Sequence, residues 1–595
     1  MDTRILYASL ALGTTALVGP QAAPANAEIS AESLAALDPT AAGRKACRTS
    51  FTAAAALDRR IALASSYMAS QGMMASSLAL FSDVGKSAIP ATGLTGEARQ
   101  YFDQGVALTY GFNHKAAIRS FRAAADRAPD CAMCLWGIAL ANGPNINAGM
   151  DSQANRDALA ALERAEALAE GLSPLEQGLI AAQKLRYSSD PGAERSALDA
   201  AYADAMMALA KANPANDDIQ ILAAEAAMNT TPWNYWTPVD KAPQPRIGEA
   251  VELIETVIAR NPQHPQASHL YIHLMEDGPD PRRAEAVADE LTRSAPPALG
   301  HLVHMPAHIF YRLGRYTDSV EANILAARAD EAYIAQAGDD GLYRFGYYPH
   351  NVHFLIASAQ MTGNMHAVFS ETARLEQIID VEIAKELAWV QAIHAAPSFA
   401  LAQYASPAAT LALTKEASPL GYVEAMRHYA RAIAFAQSGD EAGYRGAIAA
   451  LDAQATAPEV VAMEQQGFPA PLLVELASHV AKGRHAMAHD DPAVALKHFT
   501  KAEELEAGVP YTEPPYWYYP VAQSRGAALY QLGRYEEASK AFGKALFKAP
   551  NNGWALYGLS KSEAKAGRRT EAAAAKAKLD EIWQGKPGWL SMKRL

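Results

Sequence analysis

Six residues recur at one fixed spacing near both ends of the chain: Gly105, Leu108, Ala117, Phe121, Ala124 and Pro129, then Gly526, Leu529, Ala538, Phe542, Ala545 and Pro550. Small residues at helical spacing let two helices approach closely, an aromatic residue fills the space between them, and proline ends the second helix. Part of the series returns at Ala495, Phe499 and Ala502. A chain built this way is a succession of helical hairpins. With 595 residues, 50% of them hydrophobic and 19% charged, it has the apolar material for a large core. Alanine-rich helices punctuated by glycine and proline imply growth along one axis by repetition, not around a single centre.

The spacing matches consensus positions 8, 11, 20, 24, 27 and 32 of the roughly 34-residue tetratricopeptide repeat. The predicted fold class is therefore all-α: a right-handed tetratricopeptide-repeat superhelix, an α-solenoid, over residues 96–595. Residues 28–95, rich in Ala, Ser and Met, are expected to form an N-terminal helical cap. Irregular joints are expected at 229–248, 335–349 and 508–520, where aromatic residues sit among prolines and glycines.

Residues 1–27 read as a signal peptide: Arg4, an apolar stretch over 5–18, and the small-residue site Ala25-Asn26-Ala27. Export to the periplasm or beyond the cell is the expectation. No later segment reaches the ~20 apolar residues that a membrane span needs. The net charge of -12 and the lack of a Lys/Arg run exclude nucleic acid as the expected partner. Three cysteines cannot build a disulfide scaffold; Cys131 and Cys134 form a CxxC that reads as a local disulfide or as two buried small residues.

Seven of the 16 histidines fall between His269 and His353. Aligning Leu313-Gly314-Arg315-Tyr316 with Leu532-Gly533-Arg534-Tyr535 places His301, His304 and His308 at positions 2, 5 and 9 of the first helix of their repeat. The same register puts His269, His273 and Glu276 at 5, 9 and 12 of the preceding repeat, and His350 and His353 at 2 and 5 of the following one. Those positions line the concave groove of such a superhelix, so all seven imidazoles are expected to face one trough. His301 and His308 are ~10.5 Å apart along a helix axis, too far to share one ion at ~2.0 Å bonds. The predicted cofactor is accordingly a pair of transition-metal ions, copper or zinc, bridging three helices.

Other residues could complete such a site. Glu276 and, less directly, Glu225 are candidate catalytic carboxylates. Tyr311, Arg312, Trp233, Tyr347 and Tyr348 are candidate substrate-binding residues, the last two in an insertion that could serve as a lid. Asn323 stands where position 24 calls for an aromatic, and needs a polar partner such as a histidine of its own repeat. Asp330 and Glu331 read as solvated charges near a helix end.

The stretches His269-Leu-Tyr-Ile-His273, Gly300-His-Leu-Val-His-Met-Pro-Ala-His308 and Tyr348-Pro-His-Asn-Val-His353, with Tyr101-Phe-Asp-Gln-Gly105 and Phe112-Asn-His114, resemble the bacterial branch of the tetratricopeptide repeat protein 38-like family. The resemblance covers most of the chain after residue 96. It implies the repeat superhelix and brings no established activity. Repeat proteins that clamp a peptide carboxylate use Lys and Asn at positions 5 and 9, where this chain has histidine. Function therefore divides three ways: a copper- or zinc-dependent oxidase or hydrolase, a metal carrier without turnover, or an interaction scaffold holding a small molecule or peptide in its groove.

Overall fold

Phe121, Phe499 and Phe542 show why the repeat spacing works. All three rings are fully buried. A methyl group on Gly105 would sit 2.6 Å from the Phe121 ring and one on Gly137 2.5 Å from it, so the ring is clamped between the first helices of two successive hairpins. Gly526 and Gly558 clamp Phe542 in the same way, at 3.0 and 2.1 Å, and Gly483 meets Phe499 at 2.4 Å. Each aromatic residue thus binds its own hairpin to the next, which is the elementary contact of a stacked array.

The computed structural model describes residues 79–595 except 82, 83, 239 and 338–342. Among these residues the secondary structure is helical, with no β-strand, and consecutive helices pair as antiparallel hairpins. The series begins with Gly96–Tyr110 against His114–Arg127 and ends with Gly553–Lys565 against Arg569–Ile582. The signal-peptide reading lies outside the described residues, as does most of the expected N-terminal cap.

The described part of that cap, 79–95, is not helical. It is an extended strap whose backbone is occupied by side chains of the array. The Phe81 N–H donates to Gln104 Oε1 (2.6 Å), the Ala88 N–H to Asp218, and the Thr92 N–H to Glu176 Oε1 (2.6 Å). Donors held by distant side chains cannot also serve a local helical ladder.

The joints at 229–248 and 508–520 interrupt the helices where expected, whereas the described residues of 335–349 are helical, with a π-helical turn at Tyr343–Tyr347 that leads into Tyr348–Thr362. Cys131 and Cys134 form a disulfide at the start of Ala132–Asn142. No described helix is long and apolar enough to cross a membrane.

The last hairpins return to the middle of the chain. The Asn551 amide donates to Gly314 O (3.2 Å), Trp554 Nε1 to Gln360 O (3.2 Å), and the Gln584 N–H to Thr362 O (2.8 Å). Gly314 is in the left-handed region (φ 72°), and a Cβ there would lie 2.2 Å from Pro550 O. Only glycine satisfies both the turn and the approach.

Candidate metal centre

Three first helices bring the histidines together. Pro265–Glu276 carries His269, His273 and Glu276; the next carries His301, His304 and His308 across a break at Met305, where Pro306 starts a new helical segment; Tyr348–Thr362 carries His350 and His353. Six imidazoles fall into two triads, His269/His273/His301 and His304/His308/His350, each with one nitrogen per ring within 4.8 Å of the others. His301 and His308 lie in different triads, as their separation along the helix requires.

The arrangement is enclosed. Five of the six rings are buried, and His350 is half-buried. Phe112 packs 4.5 Å from the His269 ring and 5.3 Å from that of His301, and Phe354 covers His304 and His308 at 5.2 and 5.0 Å. Phe112 holds a left-handed backbone conformation (φ 54°), uncommon for a bulky residue. The trough expected from the register is filled by the joint at 508–520. Tyr511 Oη donates toward Glu276 Oε2 (3.1 Å), and Tyr518 Oη meets His353 Nε2.

Most of the rings turn Nδ1 outward to an oxygen. His269 Nδ1 faces Tyr110 O (2.9 Å) and Gln266 Oε1 (2.8 Å); His304 Nδ1 faces Asn323 Oδ1 (2.6 Å). His273 and His308, one from each triad, both reach Glu276, on Oε1 and Oε2 at 2.7 Å each. Carboxylate and carbonyl partners on the far nitrogen fix the tautomer with Nε2 unprotonated, the form that binds a metal.

Counting protons then isolates one contact. Glu276 holds the His308 proton on Nδ1. Asn323 donates its own amide to Ser319 O, so its Oδ1 must accept from His304 Nδ1. A neutral imidazole has one N–H. His304 Nε2 and His308 Nε2 therefore confront each other with lone pairs at 2.8 Å. That is repulsive unless a cation lies between them. Burial drives His304 well below its ordinary pKa, so the cation is either a second proton carried by His308, whose other nitrogen is paired with Glu276, or a metal ion. A metal ion bonded to both at ~2.0–2.1 Å with tetrahedral angles separates two nitrogens by about 3.3 Å, so these two rings would part slightly around it. His301 and His269 (Nε2 to Nε2, 3.2 Å) and His350 and His304 (3.2 Å) have the same spacing.

Burial alone would push the Glu276 carboxyl up, but the His308 and His273 imidazoles that hold it outweigh this and leave it well below the carboxylate range. Burial first, then neighbouring imidazoles, also depress His269, His301 and His350. For all of these groups the unfolded chain binds more protons, so their stabilisation is complete above pH ~6.5 and declines as pH falls. The urea midpoint is expected to drop between pH 7.5 and 5.5, and to drop less in His304→Gln; equal declines would show that these rings do not titrate on unfolding.

The remaining predicted residues divide. His353 belongs to neither triad; its ring points to Tyr518, and burial lowers its pKa to about 3. Glu225 lies one layer back, accepting from Gln266 Nε2 (3.1 Å) while Gln266 holds His269. Tyr347 packs on His301 (4.8 Å) and the edge of Trp233 on His273 (5.1 Å). Tyr311 is buried between Tyr316 and Phe354, facing no open groove, and Tyr348 turns away to Glu331. Arg312 donates to Glu276 O (2.8 Å), tying its helix to that of Glu276.

Asp330, read as a solvated charge, is fully buried. It accepts from Tyr343 Oη (2.7 Å) and Asn351 Nδ2 (2.6 Å), and burial raises its carboxyl to about 7. Tyr511, Glu513 and Gln266 escaped sequence reasoning: the first two belong to the 508–520 joint, outside any histidine repeat, whereas Gln266 stands at groove position 2 but shows its role only through its contact with His269.

Residues 521–552, the hairpin of Gly526 and Phe542, match the tetratricopeptide repeat family model. This segment is a tetratricopeptide repeat. Among solved structures the chain is similar to the human IFIT1 dimer with PPP-AAAA (12% identity, 82% of this chain and 91% of that chain covered, TM-score 0.30). It is also similar to the yeast Tom70 (12%, 83% and 93%, 0.27) and to the APC/C hetero-tetramer Cut9-Hcn1 (14%, 84% and 90%, 0.22). No curated protein matches the chain.

Proposed function

We propose that the two imidazole triads hold a pair of transition-metal ions inside a tetratricopeptide-repeat scaffold, in an exported protein related to the tetratricopeptide repeat protein 38-like family. The observation that carries this reading is the 2.8 Å contact between His304 Nε2 and His308 Nε2 with both Nδ1 protons already committed. Six neutral imidazoles and one anionic carboxylate between them favour monovalent copper over two divalent ions, since burying net charge is costly. Zinc in the same sites would support hydrolysis. Two copper(I) ions would each supply one electron to dioxygen, the chemistry of an oxidase. The chain's own residues fix ring tautomers through Glu276, Asn323 and Tyr110, and exclude water with Phe112 and Phe354.

Metal content of the full-length protein after reconstitution with copper(I) or zinc(II) tests the proposal. His353→Ala is expected to hold as many ions per chain as wild type, and His304→Gln at least one fewer. Wild type that stays metal-free in both reconstitutions would overturn it. Absorbance changes on admitting oxygen, followed by turnover assays, separate an oxidase from a carrier.

A second reading, an interaction scaffold, is favoured by the repeat at 521–552. Stacked helical repeats build extended concave surfaces of the kind on which proteins and peptides dock.

A further inference from the structure

A different cluster lies well beyond the triads in sequence, between Glu441 and His489, on a joint between two hairpins. Glu441 opens the helix Glu441–Gln454; His485 is in the last turn of Ala470–Ala488, and His489 caps that helix. One carboxylate oxygen and one nitrogen from each ring lie within 4.8 Å of one another. We propose that Glu441, His485 and His489 form a separate surface site for a divalent transition-metal ion of the zinc class, pinning these two hairpins together.

Four observations support the site. His485 Nε2 lies 2.9 Å from Glu441 Oε2, a hydrogen bond whose two atoms need part by only a few tenths of an ångström to flank one tetrahedral ion at ~2.0–2.1 Å. His489 Nδ1 faces His485 O (2.9 Å), a pure acceptor, so that ring keeps its proton on Nδ1 and its lone pair on Nε2. The Tyr444 ring lies flat on His485, centroids 3.8 Å apart and planes 10° from parallel, which fixes the plane of the second imidazole. Histidines four apart on one helical face form a chelating pair, and the carbonyl end of a helix carries partial negative charge that attracts a cation.

Both rings are thus oriented before any ion arrives, which lowers the entropic cost of binding. The site is also half-exposed, so an ion can reach it from solvent. The alternative is a single His485–Glu441 ion pair, worth little at the surface, with His489 serving only as the helix cap. Nearby, His479 and His498 face each other through Nδ1 at 3.1 Å but have no third ligand in reach, which makes them a control.

The test uses the full-length protein and zinc(II) alone. Zinc bound per chain is expected to fall by one ion in His489→Ala and in Glu441→Gln, and to be unchanged in His479→Ala. Because an ion joining two hairpins binds only the folded state, zinc should also raise the Tm of wild type more than that of either variant. The difference between wild type and His489→Ala does not depend on what the triads hold, so the site stands or falls by itself. Equal zinc and equal Tm shifts in wild type, His489→Ala and Glu441→Gln would overturn it, as would an equal loss in His479→Ala.

Discussion

Alanine at position 276 is expected to destabilise the protein by about 3–5 kcal/mol and to release metal from both triads. Glu276 is fully buried, and its two oxygens accept from His273 Nδ1, His308 Nδ1 and Tyr511 Oη. Truncation leaves these three donors unpaired in a dry interior, each at a cost of roughly 1–3 kcal/mol, partly recovered by relaxation. It also frees both rings to change tautomer, and a ring with its proton on Nε2 cannot bind an ion there. Glu276→Gln should be milder in stability, because its amide oxygen still accepts one N–H, yet nearly as severe in metal loss. Urea unfolding and metal analysis on the same samples decide the matter. A Glu276→Ala protein within ~1 kcal/mol of wild type would mean that the carboxylate holds nothing together.

The second large effect lies far from the histidines. Phe121→Ala should cost about 3–5 kcal/mol, because a fully buried ring is removed from a site whose walls are two glycines and cannot collapse inward. Phe102, edge-on at 5.5 Å, loses its partner as well. Gly137→Ala approaches the same contact from the other side, pushing a methyl group to 2.5 Å from the ring, and should cost about 1–3 kcal/mol through overpacking. Metal content should be unchanged in both. Thermal or urea unfolding gives the first quantity and elemental analysis the second; parallel loss of stability and metal would contradict the independence of repeat packing and centre.

These two positions differ in how far their roles are legible in the sequence. Phe121 sits at fixed offsets from Gly105 and Ala117, and all its partners but Gly137 belong to one hairpin, so local periodicity is enough to find it. The register of His269, His301, His304 and His308 is legible for the same reason, and so is the need of Asn323 for a histidine. The closure of the trough is not. Tyr511 meets Glu276 across 235 residues, and no helical period connects a proline-rich joint to a helix so far away. That closure is why Tyr311 became a core residue, why His353 found Tyr518 in place of the triads, and why six rings predicted to line a groove are enclosed. Asp330 escaped for a related reason: its partners, Tyr343 and Asn351, come from an insertion and the next repeat, neither of which helix-end composition reveals.

The return of the last hairpins onto Gly314, Gln360 and Thr362 changes how the molecule can come apart. An open stack frays from either tip, each unit peeling off with only its neighbour to hold it. Here the far tip is fastened to the midsection, so peeling from that end must first break a clasp made by residues distant in sequence. The centre of the chain is shielded on that side, and loosening at its rim is coupled to loosening at its heart.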